Sequence, residues 1–176
     1  LPSLGLIALL AAGGHGHAAS RPSLAAIADM LGDGEEVAFT SSHEAAPRAP
    51  LPVAESDVVL VGVVSTSSAS IDASGARVLS TFAVRVEAVL MNGTSRTIAP
   101  DDLVEVRRDG GTVRLASGQT LRYEVEGAAL PRAGGRYMLL LEADAAGALT
   151  ILRPFELRDG SAIALDDVAP HGPDAD

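Results

Sequence analysis

The chain has 176 residues, 47% of them hydrophobic, with 18 Gly and 10 Pro: a globular composition, long enough for one domain with flanks and a substantial core. It holds no Cys and no Lys, all 13 basic residues being Arg, which excludes disulfides, thiolate chemistry, cysteine metal sites, P-loop or Schiff-base lysines and a Ser-Lys pair. The net charge of −10 sits mostly on the flanks: residues 57–165 carry 13 acidic residues against 11 Arg, so no clustered basic face is available for nucleic acid.

In chain order, Leu4 to Ala12 is an apolar run followed by small residues near Ala18 to Ser20. This is the pattern of a secretory signal, predicted over 1–20 with cleavage between Ala18 and Arg21. The run is too short to span a bilayer, so no membrane span is expected, and the location is periplasmic or secreted. Residues 21–55 are predicted as a short helix and a Pro-rich linker. Leu24, Ile27, Ala28 and Leu31 stand at i, i+3, i+4 and i+7 with Gly32 as a stop, and Pro47, Pro50 and Pro52 punctuate Thr40 to Pro52.

From residue 56 to 165 the periodicity is that of strands. Val58 to Val64 and Tyr137 to Leu141 are apolar on both faces, as in central strands, and Gly62 implies a bulge or a close backbone approach. Ser80 to Leu90 alternates, with Phe82, Val84, Val86, Ala88 and Leu90 expected on one face. Leu103 to Arg108 opposes Val104 and Val106 to Glu105 and Arg107, and Leu149 to Leu152 and Ala162 to Leu165 complete the set. The predicted core is Val59, Val61, Phe82, Val84, Val86, Val104, Val106, Val113, Leu121, Leu139 and Leu141. Residues 166–176 are predicted to be a disordered acidic tail.

The hairpin over Thr112 to Val125 predicts its own register. A two-residue Ser-Gly loop would set Arg114 against Leu121 and mix the faces. A three-residue loop, Ala116-Ser117-Gly118, sets Val113 against Leu121 and puts Gly118 where a G1 bulge needs a left-handed residue.

The four His (His15, His17, His43, His171) lie outside 56–165 and lack partners at ligand spacing, so no metal site, cofactor or catalytic residue is expected. Asp101-Asp102, after Pro100, reads as turn chemistry before it reads as an acid/base pair. Glu124, Glu126, Asp166 and Asp167 read as solvated face or tail. Asn92-Gly93-Thr94 matches a glycosylation sequon, yet Asn-Gly is first a turn. A possible ligand surface consists of Arg107, Arg114, Arg122, Tyr123 and Arg132, because Arg clamps carboxylates and phosphates bidentately. The carboxylates interleaved with these residues make cross-strand ion pairing the competing reading.

The strings SDVVLVGVV, FAVRVEAVLMN and LPRAGGRYMLLLEAD resemble a group of uncharacterised exported bacterial β proteins. Their pattern is a "VVxG" strand, a "VxVxxVLK" strand and a "GxRYxLFL" strand, with Met91-Asn92 standing here where a Lys-containing turn is usual. The arrangement is also similar to OB-like barrels of the netrin and metalloproteinase-inhibitor type. The N-terminal Cys and the disulfides of those inhibitors are absent, so inhibition does not follow from the likeness. The expectation is an all-β protein: a small antiparallel OB-like Greek-key barrel with a short N-terminal helix. Functionally it is expected to be a non-enzymatic extracytoplasmic binding or adaptor module whose ligand the sequence does not name, an extracytoplasmic protein being one candidate partner. The alternatives are a protein inhibitor of an exported hydrolase and, third, a carboxylate-dependent hydrolase.

Overall fold

The computed structural model describes residues 7–9, 22–30, 36–41 and 51–166. The described residues are mostly β, with one short α-helix among them. The chain divides into two compact units, the first drawn from Leu1–Glu44, Ala69–Ser80 and Asp109–Glu126, the second from Ala45–Ser68, Thr81–Arg108 and Gly127–Asp176. The first unit thus takes in residues from 21–55 together with residues from 56–165.

The first unit contains β1 (Ile7–Leu9), α1 (Leu24–Met30), β2 (Glu36–Ser41), β6 (Gly111–Arg114) and β7 (Thr120–Val125). Its sheet runs β1-β2-β7-β6, with β1 and β7 both parallel to β2 and β6 antiparallel to β7. Strand β2 was not foreseen, although Val37 and Phe39 alternate with Glu36, Ala38 and Thr40 as a half-buried strand requires. It aligns Val37 with Leu121 and Phe39 with Tyr123. These four join Leu24, Ala28 and Val78 in one buried cluster. The helix begins where Ser23 Oγ accepts the Ala26 N–H at 3.2 Å. Seven residues do not hold a helix in water, so its stability comes from setting Leu24 and Ala28 into that cluster.

The β6–β7 hairpin has the expected register. Val113 faces Leu121, the Leu115 N–H donates to the Gln119 carbonyl at 2.8 Å, and Gly118 has φ +88°. Only its place differs, since it belongs to the first unit's sheet, beside β2.

The second unit contains most of β3 (Val58–Ile71) and β4 (Val78–Asn92), with β5 (Leu103–Asp109), β8 (Arg136–Ala143), β9 (Leu149–Arg158) and β10 (Ser161–Ala164). The sheet order is β10-β9-β5-β4-β3-β8, and β9 pairs with β8 as well. Each of β3, β4, β5, β8 and β9 thus has two partners among the five. The β8–β9 and β3–β8 pairs are antiparallel, while β5 meets β9 in parallel at Val106 and Arg107. The core includes Val58, Leu60, Val64, Phe82, Val84, Val86, Val104, Val106, Tyr137, Leu139, Leu141 and Ile151.

Two phases differ from the sequence reading. In β3 it is Val58 and Leu60 that fill this cluster, whereas Val61 is half-buried, because a strand apolar on both faces carries no parity signal. In β4 the alternation holds through Val86 and then slips, so that Val89 packs on the core and Leu90 is 59% exposed. Gly62 marks the expected close approach: a Cβ there would lie 2.5 Å from the Arg85 carbonyl oxygen.

Candidate functional site

The arginine surface suggested by the sequence draws its residues from both units. Arg114 and Arg122 stand on the exposed face of the first unit's sheet, while Tyr123, the next residue along β7, points the other way and is 6% exposed in the core. Alternation along a strand forbids Arg122 and Tyr123 from sharing a face, so Tyr123 is removed from any ligand surface. Arg107 and Arg132 belong to the second unit. Arg122 pairs with Glu124 and lies 3.8 Å from Glu36, and Arg107 pairs with Glu105 at 2.8 Å. Arg136 pairs with Glu87 at 2.7 Å. These are exposed pairs between residues on strands, of the kind that contributes little to stability.

The carboxylates are likewise engaged in local structure. Asp102 Oδ2 accepts the Ala99 N–H at 2.8 Å, and Asp101 adopts φ +70° while donating its N–H to the Val86 carbonyl. This is the turn chemistry anticipated for Asp101-Asp102. At the β3–β4 turn, Asp72 accepts from Ser74 Oγ and from the N–H groups of Ala76 and Arg77. Burial opposes its charged form, but these bonds and the Arg77 guanidinium prevail and hold its carboxyl below the ordinary range. Arg77 also reaches Asp109 at 3.1 Å, and that charge, against some burial, pushes the guanidinium further up. Among the described residues no three His, Asp or Glu side chains gather as metal ligands would.

One ion pair is different in kind. Arg108 donates through Nη2 to both oxygens of Asp166, at 2.8 and 2.7 Å, and through Nη1 to the Ala129 carbonyl at 2.9 Å. Asp166 also accepts the Ala129 N–H at 3.2 Å, and the two side chains are only 8% and 11% exposed. Asp166 is therefore not a solvated tail residue. The alternation that turns Val104 and Val106 inward turns Arg108 inward as well, and that was the available signal. Its partner lies 58 residues away, where no local pattern points. The bidentate geometry fastens the end of the described chain to β5 and to the 127–131 segment.

Beside these charged and polar groups the second unit also shows apolar side chains to solvent. Leu90 and Leu103 are each 59% exposed on β4 and β5, and Ile163 is exposed on β10. Leu103 shares the outward face of β5 with Glu105 and Arg107. Strand β10 forms one end of its sheet order and carries no charged residue and no Pro. Sequence reasoning missed Leu90 by placing it inside, and assigned Leu103 to neither face of its strand. No protein-family model matches the chain, and no curated protein matches it. Among the described residues no helix is long and apolar enough to cross a membrane.

Proposed function

We propose that the chain is a non-catalytic, extracytoplasmic binding module that meets a protein partner through outward apolar side chains of its second unit. In this reading the mutual pairing of β3, β4, β5, β9 and β8 is a closed OB-like barrel, and β10 is an added edge strand. The observation that carries the proposal is the exposure of Leu90 and Leu103 on strands whose other outward residues are largely charged or polar. Covering an exposed Leu is worth about 1.5–3 kcal/mol, so two of them can anchor a contact. An uncharged edge strand such as β10 is one that can accept a further strand.

The chemistry of the site supports binding over hydrolysis. The Asp101-Asp102 pair holds a turn, and the Arg and Glu side chains neutralise one another along the strands. Export rests on the signal-like run over 1–20, and cleavage there would take β1 from the end of the first unit's sheet and leave β2 as its end strand.

The test is cross-linking of the native exported protein, followed by mass spectrometry, for wild type and for the Leu90→Glu and Leu103→Glu variants. The expected result is a stoichiometric partner cross-linked near these positions and lost in the variants, with melting unchanged. The same partner yield in all three proteins would defeat the proposed surface. N-terminal sequencing of that material should find a start between Ala18 and Arg21, and an intact Leu4 to Ala12 would refute export by this signal.

A further inference from the structure

The chain has one asparagine, and glycine follows it. We propose that Asn92 is a latent modification site, a spontaneous deamidation site that the fold keeps closed and that opens only when the turn after β4 is released. In the reaction the main-chain nitrogen of Gly93 loses its proton and attacks Cγ of Asn92. A Cγ–N bond forms, the Cγ–Nδ2 bond breaks, and Nδ2 leaves as ammonia. Water then opens the resulting five-membered imide at either carbonyl, giving Asp or its β-linked isomer. Glycine favours the attack because no Cβ crowds the nucleophile.

Every group in that step is held away from it. The Gly93 N–H donates to the Asp57 carbonyl at 2.7 Å, so the nucleophile is occupied. Asn92 Oδ1 accepts from Thr94 N at 3.1 Å and from Thr94 Oγ1 at 2.7 Å, and Nδ2 donates to the Arg96 carbonyl at 2.8 Å. Swinging Cγ toward the Gly93 nitrogen breaks the side-chain bonds together. Yet Asn92 and Gly93 are both exposed, so water for the second step is at hand. The product also cannot restore the turn. A carboxylate has no hydrogen to donate to the Arg96 carbonyl and sets oxygen against oxygen there. One conversion therefore loosens the segment that prevented it, and an opening event is recorded covalently.

The experiment incubates the full chain at mildly alkaline pH, folded and in guanidinium chloride, and follows conversion by peptide mass mapping. Conversion at Asn92 should be at least about tenfold slower in the folded chain, as expected when reaction requires local opening. Folded Thr94→Ala should react several-fold faster than folded wild type. Equal rates with and without denaturant would overturn the gating, and no conversion in denaturant would overturn the site. Asn92→Asp should lose amide protection across residues 92–96 alone, and full protection there would overturn the claim that the product loosens the turn.

Discussion

The two units solve the same problem, burying apolar strand faces, with different kinds of information. Both units are drawn from three pieces of chain, and the second owes its legible core to β5 and to β4 as far as Val86, where the burial alternates. The first unit gathers three separated pieces of chain around Phe39, Leu121 and Tyr123, and its central pairing, β2 with β7, is parallel across more than eighty residues of sequence. Loop closure of that kind costs entropy without any local reward, and nothing in the flanking turns announces it. The lesson is that local chemistry predicts a hairpin well and says little about which sheet receives it.

The largest expected effect tests that difference directly. A chain beginning at Leu51 lacks Leu24, Ala28, Val37 and Phe39, more than half of the first unit's buried cluster. It also lacks the Leu24 N–H that donates to the Gly75 carbonyl at 2.8 Å. Hydrogen exchange should show protection lost in β6 and β7 and retained in β8 and β9. Retained protection in both pairs would mean that the flank is dispensable and that the β6–β7 hairpin is held by something other than β2 and α1.

The next effect belongs to the second unit. Asp166→Ala leaves the buried Arg108 guanidinium without its bidentate partner, a change that typically costs about 3–5 kcal/mol. Denaturant melts should show it, whereas Glu105→Ala, which frees only the exposed Arg107, should change stability by under about 1 kcal/mol. Similar small losses in both variants would reduce the Arg108 pair to another surface contact.

The smallest effect returns to the first unit. The folded pKa of Asp72 lies below the ordinary carboxylate value of 3.8, so its ionised form stabilises the fold above that pH. That contribution is lost as pH falls from about 4 through the folded value. Asp72→Asn should therefore destabilise near neutrality and lose less stability than wild type when melts are taken from pH 5 down to pH 3. Parallel acid profiles for the two proteins would show that the turn bonds to Asp72 carry no net charge-dependent stabilisation.

Several features were decided by the sequence alone, because the forces behind them act over a few residues. The three-residue loop at Ala116 to Gly118 follows from matching apolar faces and from the left-handed conformation a bulge requires. The inward set Phe82, Val84, Val86, Val104 and Val106 follows from period-two alternation, and the turn role of Asp101-Asp102 from the chemistry after a proline. Only the tertiary structure decided the rest. The phase of β3 could not be read because both its faces are apolar, and the slip in β4 that exposes Leu90 depends on how Val89 meets the core. Arg108 found Asp166, and Glu36–Ser41 found β7, across distances where pairing is selected by the shape and charge of the assembled surfaces. Neighbours along a chain are determined by its local pattern, and neighbours in space by what that pattern leaves unburied.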